Sequence, residues 1–256
     1  MARFTGKVVV VTGAGGGIGR ATAARLAAEG ASLVLVDRAA TTLRETEELV
    51  ARTGAATLAV EADVTRWTDV QRYVAAATER FGGIDAFFNN AGVLGAVSPL
   101  TEYPEAEFDR VMAVNVKGVW LGLKAVGPAI AARGGGAIVN TASIAGLRGS
   151  PSIVAYTASK HAVIGLTRTA AIELIRRGIR VNAICPAPIE TPMVRELEQA
   201  FGRDNPARAR ERFAASIPMR RFGEADEVAA LVVFLLSAEA SYVNGGIYTV
   251  DGGSMA

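Results

Sequence analysis

Short runs of apolar and β-branched residues alternate along the whole chain with longer segments rich in Ala, Leu, Glu and Arg. Several of the short runs are continuously apolar, which is typical of parallel strands buried on both faces. The pattern predicts strands at residues 7–12, 32–36, 57–61, 84–89, 136–141, 180–184 and 246–250. It predicts helices at residues 17–29, 41–52, 67–81, 104–133, 152–177 and 224–237, with two more within 191–215.

This alternation indicates the α/β class: a single-domain, Rossmann-like, doubly wound parallel sheet of about seven strands with helices on both faces. Residues 1–256 are expected to form that one domain. The segment at about 188–216, between the sixth strand and the last helix, is a candidate substrate lid. Ligands of such folds bind beyond the carboxyl ends of the strands. The residues that follow each strand are therefore the candidates for function.

Composition excludes several classes of function. The 256 residues include 27 Lys and Arg against 25 Asp and Glu, and this small excess is not typical of a nucleic-acid-binding surface. The chain has one cysteine, Cys185, and one histidine, His161, which leaves no material for an internal disulfide, a Cys-rich zinc site or a His-based metal site. The first residues are polar, and no apolar run is long enough to span a bilayer. These features predict a soluble cytoplasmic protein without metal, membrane or nucleic-acid partners.

A glycine-rich segment, TGAGGGIG at residues 12–19, follows the first predicted strand and leads directly into a helix. Glycines let the backbone approach a pyrophosphate closely, and the start of a helix supplies free N–H groups and a favourable dipole. The strict G-x-G-x-x-G spacing is absent, because Ile18 stands where the third glycine would be needed. The position after the first strand still favours dinucleotide binding over an ordinary glycine-rich turn. The predicted cofactor contacts in this segment are Gly13, Gly15, Gly16, Gly17, Ile18 and Gly19.

Asp37 follows the second predicted strand, about 20 residues beyond the glycines, where a carboxylate can bind the ribose hydroxyls of adenosine. Such a carboxylate would repel a 2′-phosphate, which favours NAD over NADP. Arg38 could accept that phosphate, so NADP remains the second choice. The alternative role for Asp37 is a helix cap or turn. The ends of the third and fourth strands add the predicted contacts Asp63, Val64, Asn90, Ala91 and Gly92.

Tyr156 and Lys160 lie four residues apart on one predicted helix and so share a helical face. A tyrosine has a pKa of about 10 and is a poor base at neutral pH. A lysine cation ~4–5 Å away, at an effective dielectric constant of ~20, is worth ~3–4 kcal/mol, or roughly 2–3 pKa units. We therefore expect Lys160 to lower the pKa of Tyr156, so that the phenol exchanges a proton with an alcohol or a ketone. Ser143, after the fifth strand, is expected to hydrogen-bond the same oxygen.

Taken in order along nearly the whole chain, these motifs resemble those of the short-chain dehydrogenase/reductase family. The resemblance implies an NAD(P)-dependent oxidoreductase acting on CH–OH groups, with Tyr156 as the general acid/base. It implies that Lys160 lowers the pKa of Tyr156 and holds the nicotinamide ribose, while Ser143 orients the substrate oxygen. Asn115 would hold a water that relays protons to Lys160. The motifs are the TGxxxGxG segment, Asp63-Val64, the NNAG at 89–92, Asn115, Ser143, Tyr156, Lys160, Pro186 and the VDGG at 250–253.

The resemblance also covers the loop after the sixth strand and the oligomeric state. It implies that Pro186, Ile189 and Thr191 bind the cofactor, the last two at the nicotinamide carboxamide. The family usually has Pro-Gly where this chain has Pro186-Ala187, and Pro188 pushes Ala187 toward an extended backbone. This departure could reshape the roof of the pocket without abolishing cofactor binding. The two long helices, at 104–133 and 152–177, would pair with their copies in a homotetramer.

Mostly aliphatic residues are predicted to line the substrate pocket, which indicates a hydrophobic secondary alcohol or ketone, with cyclic compounds among the candidates. The alternatives are an NADPH-dependent reductase of 3-oxoacyl thioesters, carried by acyl carrier protein or CoA, and a catalytically silent dinucleotide-binding scaffold. Arginines between residues 195 and 221 alternate with acids, which is typical of a solvated helical face, and a site for an acidic carrier is the alternative there. The predicted substrate contacts are Leu94, Ser143, Ala145, Ile153, Tyr156 and Met193, within a wider lining of Gly95, Ala96, Ile144, Leu147, Pro188, Val194 and Leu197.

Overall fold

The computed structural model describes residues 2–202 and 205–256. Its strands are β1 (Val8–Thr12), β2 (Ser32–Asp37), β3 (Thr57–Glu61), β4 (Ala86–Asn89), β5 (Gly136–Thr141), β6 (Ile179–Pro186) and β7 (Ile247–Val250). They form one seven-stranded sheet in the order β3-β2-β1-β4-β5-β6-β7, and each neighbouring pair is parallel. The predicted fold class, a doubly wound parallel sheet, is confirmed.

Helices cover both faces of this sheet. They are α1 (Gly17–Ala28), α2 (Ala40–Ala51), α3 (Trp67–Phe81), α4 (Glu105–Met112), α5 (Gly118–Ala132), α6 (Val154–Leu174), α7 (Pro192–Gly202), α8 (Pro206–Ser216) and α9 (Ala225–Leu236). Val8 and Val10 of β1 join the apolar core under α3, α5 and α6, whereas Val9 and Val11 join the core under α1, α2 and α9. Successive side chains of a strand point to opposite faces, so a continuous run of valines serves both cores. Across residues 2–202 and 205–256, no helix has the length and apolar character needed to cross a membrane.

The predicted single helix at 104–133 is wrong in its middle. The structure has α4, then a π-helical turn at Ala113–Lys117, then α5. A π turn inserts one extra residue into a helix, and such turns often occur at functional sites. The apolar pattern continues through the insertion, so periodicity alone does not reveal it. Residues 203 and 204 of the predicted lid lie outside the described residues.

Arg180, near the start of β6, ties the C-terminal end of α9 to the sheet. Its side chain is buried, and its Nη1 donates to the carbonyl oxygens of Leu235 at 2.9 Å and Val243 at 3.2 Å. Its Nη2 donates to the carbonyl oxygen of Ser237 at 2.9 Å. The last carbonyls of a helix lack partners within the helix and carry a partial negative charge. Arg180 therefore satisfies carbonyl groups that α9 leaves open, although burial lowers the pKa of its guanidinium.

Candidate active site

A groove of about 260 Å³ opens at the carboxyl end of the sheet. It lies beyond β1 and β4, which are neighbours in the sheet but are connected to strands on opposite sides. The crevice at such a switch point is where open parallel sheets bind ligands. The groove gathers the predicted adenosine contacts from four strand ends. Its lining is Gly13, Val36, Asp37, Arg38, Ala62, Asp63, Val64, Thr65, Ala91, Gly92, Val93, Arg110, Ala113 and Val114.

At two glycines of the glycine-rich segment, Gly13 and Gly19, a side chain would not fit. Gly13 has φ +65°, and a Cβ built on it would lie 3.0 Å from the Cα of Ala91 in the loop after β4. A Cβ on Gly19 would collide with the carbonyl oxygen of Gly13. The first turn of α1 therefore packs directly on the loop that follows β1. This close packing leaves the backbone N–H groups at the start of the helix facing the carboxyl edge of the sheet.

Asp37 is held firmly at the end of β2. Its Oδ2 accepts the backbone N–H of Gly15 at 2.9 Å, and its Oδ1 accepts that of Ala39 at 3.0 Å. The first bond links the ribose-binding candidate directly to the glycine-rich segment. The second is an Asx-type turn of the kind that was the alternative role for this residue. Asp37 has both features, because the carboxylate that makes the turn also lines the groove.

Asp63 and Val64 lie at the same edge, after β3. The Oδ1 atom of Asp63 accepts from both the backbone N–H and the hydroxyl of Thr65, at 2.9 and 2.8 Å. Val64 packs against Gly118 at the start of α5, where a Cβ would lie 2.9 Å from its methyl carbon. Asp63 thus makes a local turn that presents the Val64 segment to the groove.

Two polar residues that the sequence analysis missed brace the loops after β1, β4 and β5. Thr12 accepts the backbone N–H groups of Asn90 and Ala91 at 2.9 and 3.2 Å through its hydroxyl oxygen. The Asn90 side-chain nitrogen donates to the carbonyl oxygen of Thr12 at 3.0 Å, and its oxygen accepts from the hydroxyl of Thr141 at 3.1 Å. The side chain of Asn90, a predicted cofactor contact, therefore holds three loops in place. Polar residues at successive strand ends are the signal that could have identified Thr12 and Thr141.

Arg20 and Thr46 were also missed, and they clamp the glycine-rich segment from outside. Arg20 Nη2 donates to the carbonyl oxygen of Gly15 at 2.6 Å and pairs with Glu45 at 2.8 Å. The buried hydroxyl of Thr46 donates to the carbonyl oxygen of Ala14 at 2.9 Å. No sequence motif marks these residues, because only the fold brings them near the backbone of the glycine-rich segment.

Tyr156 and Lys160 project from one face of α6 toward the carboxyl end of β5. The Lys160 ammonium nitrogen lies 5.4 Å from the centroid of the Tyr156 ring and donates to the carbonyl oxygen of Thr141 at 2.8 Å. Lys160 is only 3 % exposed, whereas Tyr156 is half-buried. The helical spacing of four residues thus places the phenol beside a buried cation, as the sequence predicts.

Ser143 directly follows β5 and lies close to the phenol of Tyr156. Its hydroxyl oxygen accepts the backbone N–H of Ala145 at 3.1 Å and donates to the carbonyl oxygen of Pro186 at 3.4 Å. The structure therefore brings Ser143 and Tyr156 together with the end of β6. These are the two groups that the sequence analysis expects at the reacting oxygen.

In the protein without cofactor, the pKa of Tyr156 is not lowered as the sequence predicts. Burial raises the pKa of the phenol, and the nearby Ser143 hydroxyl opposes that rise only in part. Burial also lowers the pKa of Lys160 to about 8. The spacing of the two residues predicts their attraction but not their burial. Desolvation disfavours the charged form of each group.

Asn115 lies in the π-helical turn and is fully buried. Its amide makes a reciprocal pair with the backbone of Val93, accepting its N–H at 2.8 Å and donating to its carbonyl oxygen at 2.9 Å. It also donates to the hydroxyl of Ser159 at 3.0 Å, which in turn donates to the carbonyl oxygen of Tyr156 at 2.7 Å. The side chain of Asn115 thus links the loop after β4 to the helix that carries Tyr156 and Lys160.

The loop after β6 faces the glycine-rich segment across the edge of the sheet. A Cβ on Gly17 would lie 3.1 Å from the methyl carbon of Thr191, and the Thr191 hydroxyl donates to the carbonyl oxygen of Ile189 at 3.1 Å. Ala187 does not adopt a left-handed backbone, and its N–H donates to the carbonyl oxygen of Val250 at 3.0 Å. Alanine in place of the usual glycine is therefore accommodated without positive φ.

The predicted substrate residues separate into two groups. Leu94, Ala145 and Ile153 are buried, and Met193 is half-buried on α7. Ala145 lies beside Ser143, to whose hydroxyl oxygen its backbone N–H donates. Val194, a member of the wider lining, instead packs in a small apolar cluster with Ile217 and Phe222.

Of the chain's single histidine and single cysteine, His161 lies away from the reacting groups, whereas Cys185 lies close to Ser143, Tyr156 and Lys160. His161 is exposed, and its Nδ1 contacts the carbonyl oxygen of Thr157 at 2.9 Å on the outer face of α6. Cys185 is fully buried in β6, and burial raises the pKa of its thiol to about 11. A thiol of this kind is protonated at neutral pH and behaves as a small apolar group.

The residues at this edge fit a dinucleotide. Glycine is required at Gly13 and Gly19, because any side chain there would enter the neighbouring backbone. The carboxylate of Asp37 is fixed at one end of the groove, and Thr191 lies beside Gly17 toward the other side. The phenol of Tyr156 and the ammonium of Lys160 lie at the carboxyl end of β5, the next strand after β4 in the sheet.

Comparison with known proteins extends this picture. Residues 13–255 match the family described as Enoyl-(Acyl carrier protein) reductase. Levodione reductase of Leifsonia aquatica is 49% identical over 256 residues, covering 99% of this chain and 96% of the relative, and its crystal structure has a TM-score of 0.96 over 98% of each chain. Cyclohexanol dehydrogenase of Acinetobacter sp. (strain SE19) is 40% identical over 250 residues, covering 98% of this chain and 95% of the relative. The structure of NAD+-bound xylitol dehydrogenase has a TM-score of 0.95 and 39% identity, covering 98% of this chain and 100% of the other.

Proposed function

Because this chain belongs to the short-chain dehydrogenase/reductase family, we propose that it interconverts a hydrophobic secondary alcohol and its ketone with NAD(H) as cofactor. The chain is an NAD(P)-dependent oxidoreductase that acts on CH–OH groups. The observation that carries the finer proposal is the convergence of Ser143, Tyr156 and Lys160 at the same edge of the sheet as the Asp37 groove.

Tyr156 is the general acid/base in this proposal. The bound nicotinamide supplies or accepts the hydride. In reduction the phenol of Tyr156 donates its proton to the ketone oxygen, and in oxidation it takes that proton back. Because burial raises its pKa, the phenol is protonated at neutral pH, which is the form that reduction needs. Ser143 hydrogen-bonds the same substrate oxygen and orients it.

Lys160 stabilises the phenolate that forms when Tyr156 has given up its proton. Its ammonium lies over the phenol ring in a buried position, where a positive charge acts strongly on a developing negative one. With a pKa near 8, Lys160 is charged at neutral pH. The same ammonium would hold the nicotinamide ribose. The proton relay through a water at Asn115 stays a prediction.

The preference for NAD rests on Asp37. Its carboxylate lines the groove and is fixed by two backbone N–H groups, so it cannot easily turn away from a 2′-phosphate. Repulsion of about 1–2 kcal/mol at a partly exposed site corresponds to roughly 5- to 30-fold in kcat/KM for NADH over NADPH. The variant Asp37→Asn is expected to narrow this ratio. A wild-type enzyme that prefers NADPH would refute the proposed cofactor.

The proposed substrate class rests on the aliphatic residues near Tyr156 and on two relatives, a levodione reductase and a cyclohexanol dehydrogenase. Leu94, Ala145 and Ile153 offer apolar surface and no charge for an anionic substrate. The test is a panel of cyclic and open-chain ketones and alcohols, followed by NADH absorbance, with acetoacetyl thioesters and NADPH in parallel. We expect cyclic ketones with NADH to react best.

The same panel tests the alternatives. Fastest turnover of an acetoacetyl thioester with NADPH would favour a 3-oxoacyl thioester reductase. Binding of NADH without turnover of any alcohol or ketone would favour a catalytically silent scaffold. Either result would refute the substrate class proposed here.

We also propose the homotetramer that the family resemblance implies. In support, α4, the π turn, α5 and α6 form a shallow apolar depression of about 430 Å³. Trp120 is 44 % exposed beside it, an unusual position for a tryptophan in an isolated chain. Light scattering during size exclusion measures the mass directly, and a monomer would refute the assignment. The depression is lined by Met112, Ala113, Val116, Lys117, Trp120 and Leu166.

A further inference from the structure

We propose that Arg210 is a positioning residue that ties the two helices of the lid segment to the cofactor-binding loop after β6. The inference rests on the proposed function, because that function assigns the neighbouring residues Ile189 and Thr191 to the nicotinamide. Arg210 itself lies on α8 and makes no part of the groove described above.

Arg210 joins three elements through one side chain. Its guanidinium pairs with the carboxylate of Glu190, in the loop after β6, through both of its terminal nitrogens. Its Nη1 also donates to Glu198 of α7 at 2.9 Å. The guanidinium carbon lies 4.8 Å from the centroid of the Phe222 ring. We call Arg210, Glu190, Glu198 and Phe222 the Arg210 clasp.

The loop held by this clasp is also pinned through its backbone. The N–H of Glu190 donates to the carbonyl oxygen of Gly223 at 2.9 Å, and the N–H of Gly223 donates to that of Pro188 at 3.1 Å. Ile189 lies between these two bonds and pairs with Gly223 in a short parallel bridge. The segment 188–190 thus has a fixed backbone, and the side chain of Glu190 links it to α8 through Arg210.

Two members of the Arg210 clasp are buried, although Arg210 itself is partly exposed. Glu198 is 8 % exposed and Phe222 is 4 % exposed. A buried carboxylate without a cation is costly, so Glu198 needs Arg210 in place. The two helices also touch through Phe201 and Phe213, whose rings meet edge to face at 5.5 Å. Moving α8 therefore breaks the contacts of Arg210 with α7 and with Glu190 together.

Solvent screening limits how much an isolated surface ion pair contributes to stability, and the Arg210 side chain is 45 % exposed. The clasp differs from such a pair because one planar guanidinium meets two carboxylates and an aromatic ring. Loss of Arg210 would free Glu190, which lies directly between the two residues assigned to the nicotinamide. Cofactor affinity is therefore the property that should respond.

The test compares Arg210→Met with Arg212→Met, which removes an exposed arginine from the same helix. The primary measurement is the Kd of NADH, read from its fluorescence, and it requires neither a substrate nor turnover. We expect Arg210→Met to weaken NADH binding by ~5-fold or more and Arg212→Met to change it by less than ~2-fold. Arg210→Lys keeps the charge but not the planar fork, so we expect it to restore affinity only in part.

A double-mutant cycle with Glu190→Gln separates positioning from general destabilisation. We expect the effects of Arg210→Met and Glu190→Gln on the Kd of NADH to be non-additive, because each breaks the same contact. Urea unfolding of each variant shows whether it is folded, and the milder Glu190→Gln keeps the test valid if Arg210→Met does not fold. Unchanged NADH affinity in folded Arg210→Met, or additive effects in the cycle, would refute the clasp. Failure of the wild-type protein to bind NADH would instead refute the proposed function.

Discussion

Replacing Lys160 by Met offers a direct measurement of the electrostatics of the site in the protein without cofactor. Lys160 is 3 % exposed, and its ammonium has the carbonyl oxygen of Thr141 as its hydrogen-bond acceptor. Burial lowers its pKa to about 8, against 10.5 for an ordinary lysine. Methionine has a similar length and no charge, so Lys160→Met removes the cost of burying the ammonium. It also leaves the carbonyl group of Thr141 without this donor.

The sign of the effect follows from proton binding. Between pH 8 and 10.5 the unfolded chain holds a proton on Lys160 that the folded protein has lost, so the free energy of unfolding rises with pH there. Below pH 8 the full cost of the buried charge remains, and the two pKa values make it about 3 kcal/mol. Lys160→Met lacks this dependence. The free energy of unfolding of Lys160→Met, minus that of wild type, should therefore be greatest at pH 7. By pH 10 this difference should fall by most of the about 3 kcal/mol. Loss of the donor to Thr141 costs ~1–3 kcal/mol and is the same at each pH, so it does not affect the trend.

The assay is urea unfolding of both proteins at several pH values between 7 and 10, at one protein concentration, because assembly of subunits would also change the apparent stability. Groups that do not interact with Lys160 titrate in both proteins and cancel in the difference. The thiol of Cys185 is the exception, because the charge of Lys160 lowers its pKa. Lys7→Met is the control, because Lys7 is exposed and lies outside the depression proposed for subunit contact. A difference between Lys160→Met and wild type that changes by less than ~1 kcal/mol from pH 7 to pH 10 would show that the ammonium is not desolvated as the structure requires.

Three further substitutions test other parts of the structure. Tyr156→Phe should lower kcat by ~10²-fold or more, while the Kd of NADH stays within a few-fold of the wild-type value. Turnover equal to that of the wild-type enzyme would exclude the phenol as the proton donor. Gly19→Ala should abolish measurable NADH binding, because its Cβ collides with the carbonyl oxygen of Gly13; retained affinity in a fluorescence titration would contradict the packing of α1. Arg180→Met should lower the free energy of unfolding by ~3 kcal/mol or more, because three buried carbonyl groups lose a charged donor, and a change below ~1 kcal/mol would argue against this role.

Local patterns were enough for the architecture. The seven predicted strands all occur in the sheet, because buried parallel strands require continuous apolar runs that few other structures tolerate. The order of strands and helices then leaves few topologies open. Tyr156 and Lys160 could be paired from their spacing alone, since residues four apart always share a helical face.

The sequence by itself determined the order of the strands and most of the helices, because this order depends on periodicity and on neighbours along the chain. The tertiary structure decided what depends on surroundings. It placed a π turn at Ala113–Lys117, where Asn115 pairs with the backbone of Val93. It reversed the expected direction of the Tyr156 pKa, because desolvation is set by every group packed around the phenol. It also joined Arg210 to Glu190, 20 residues away, since only folding brings two such distant side chains into contact.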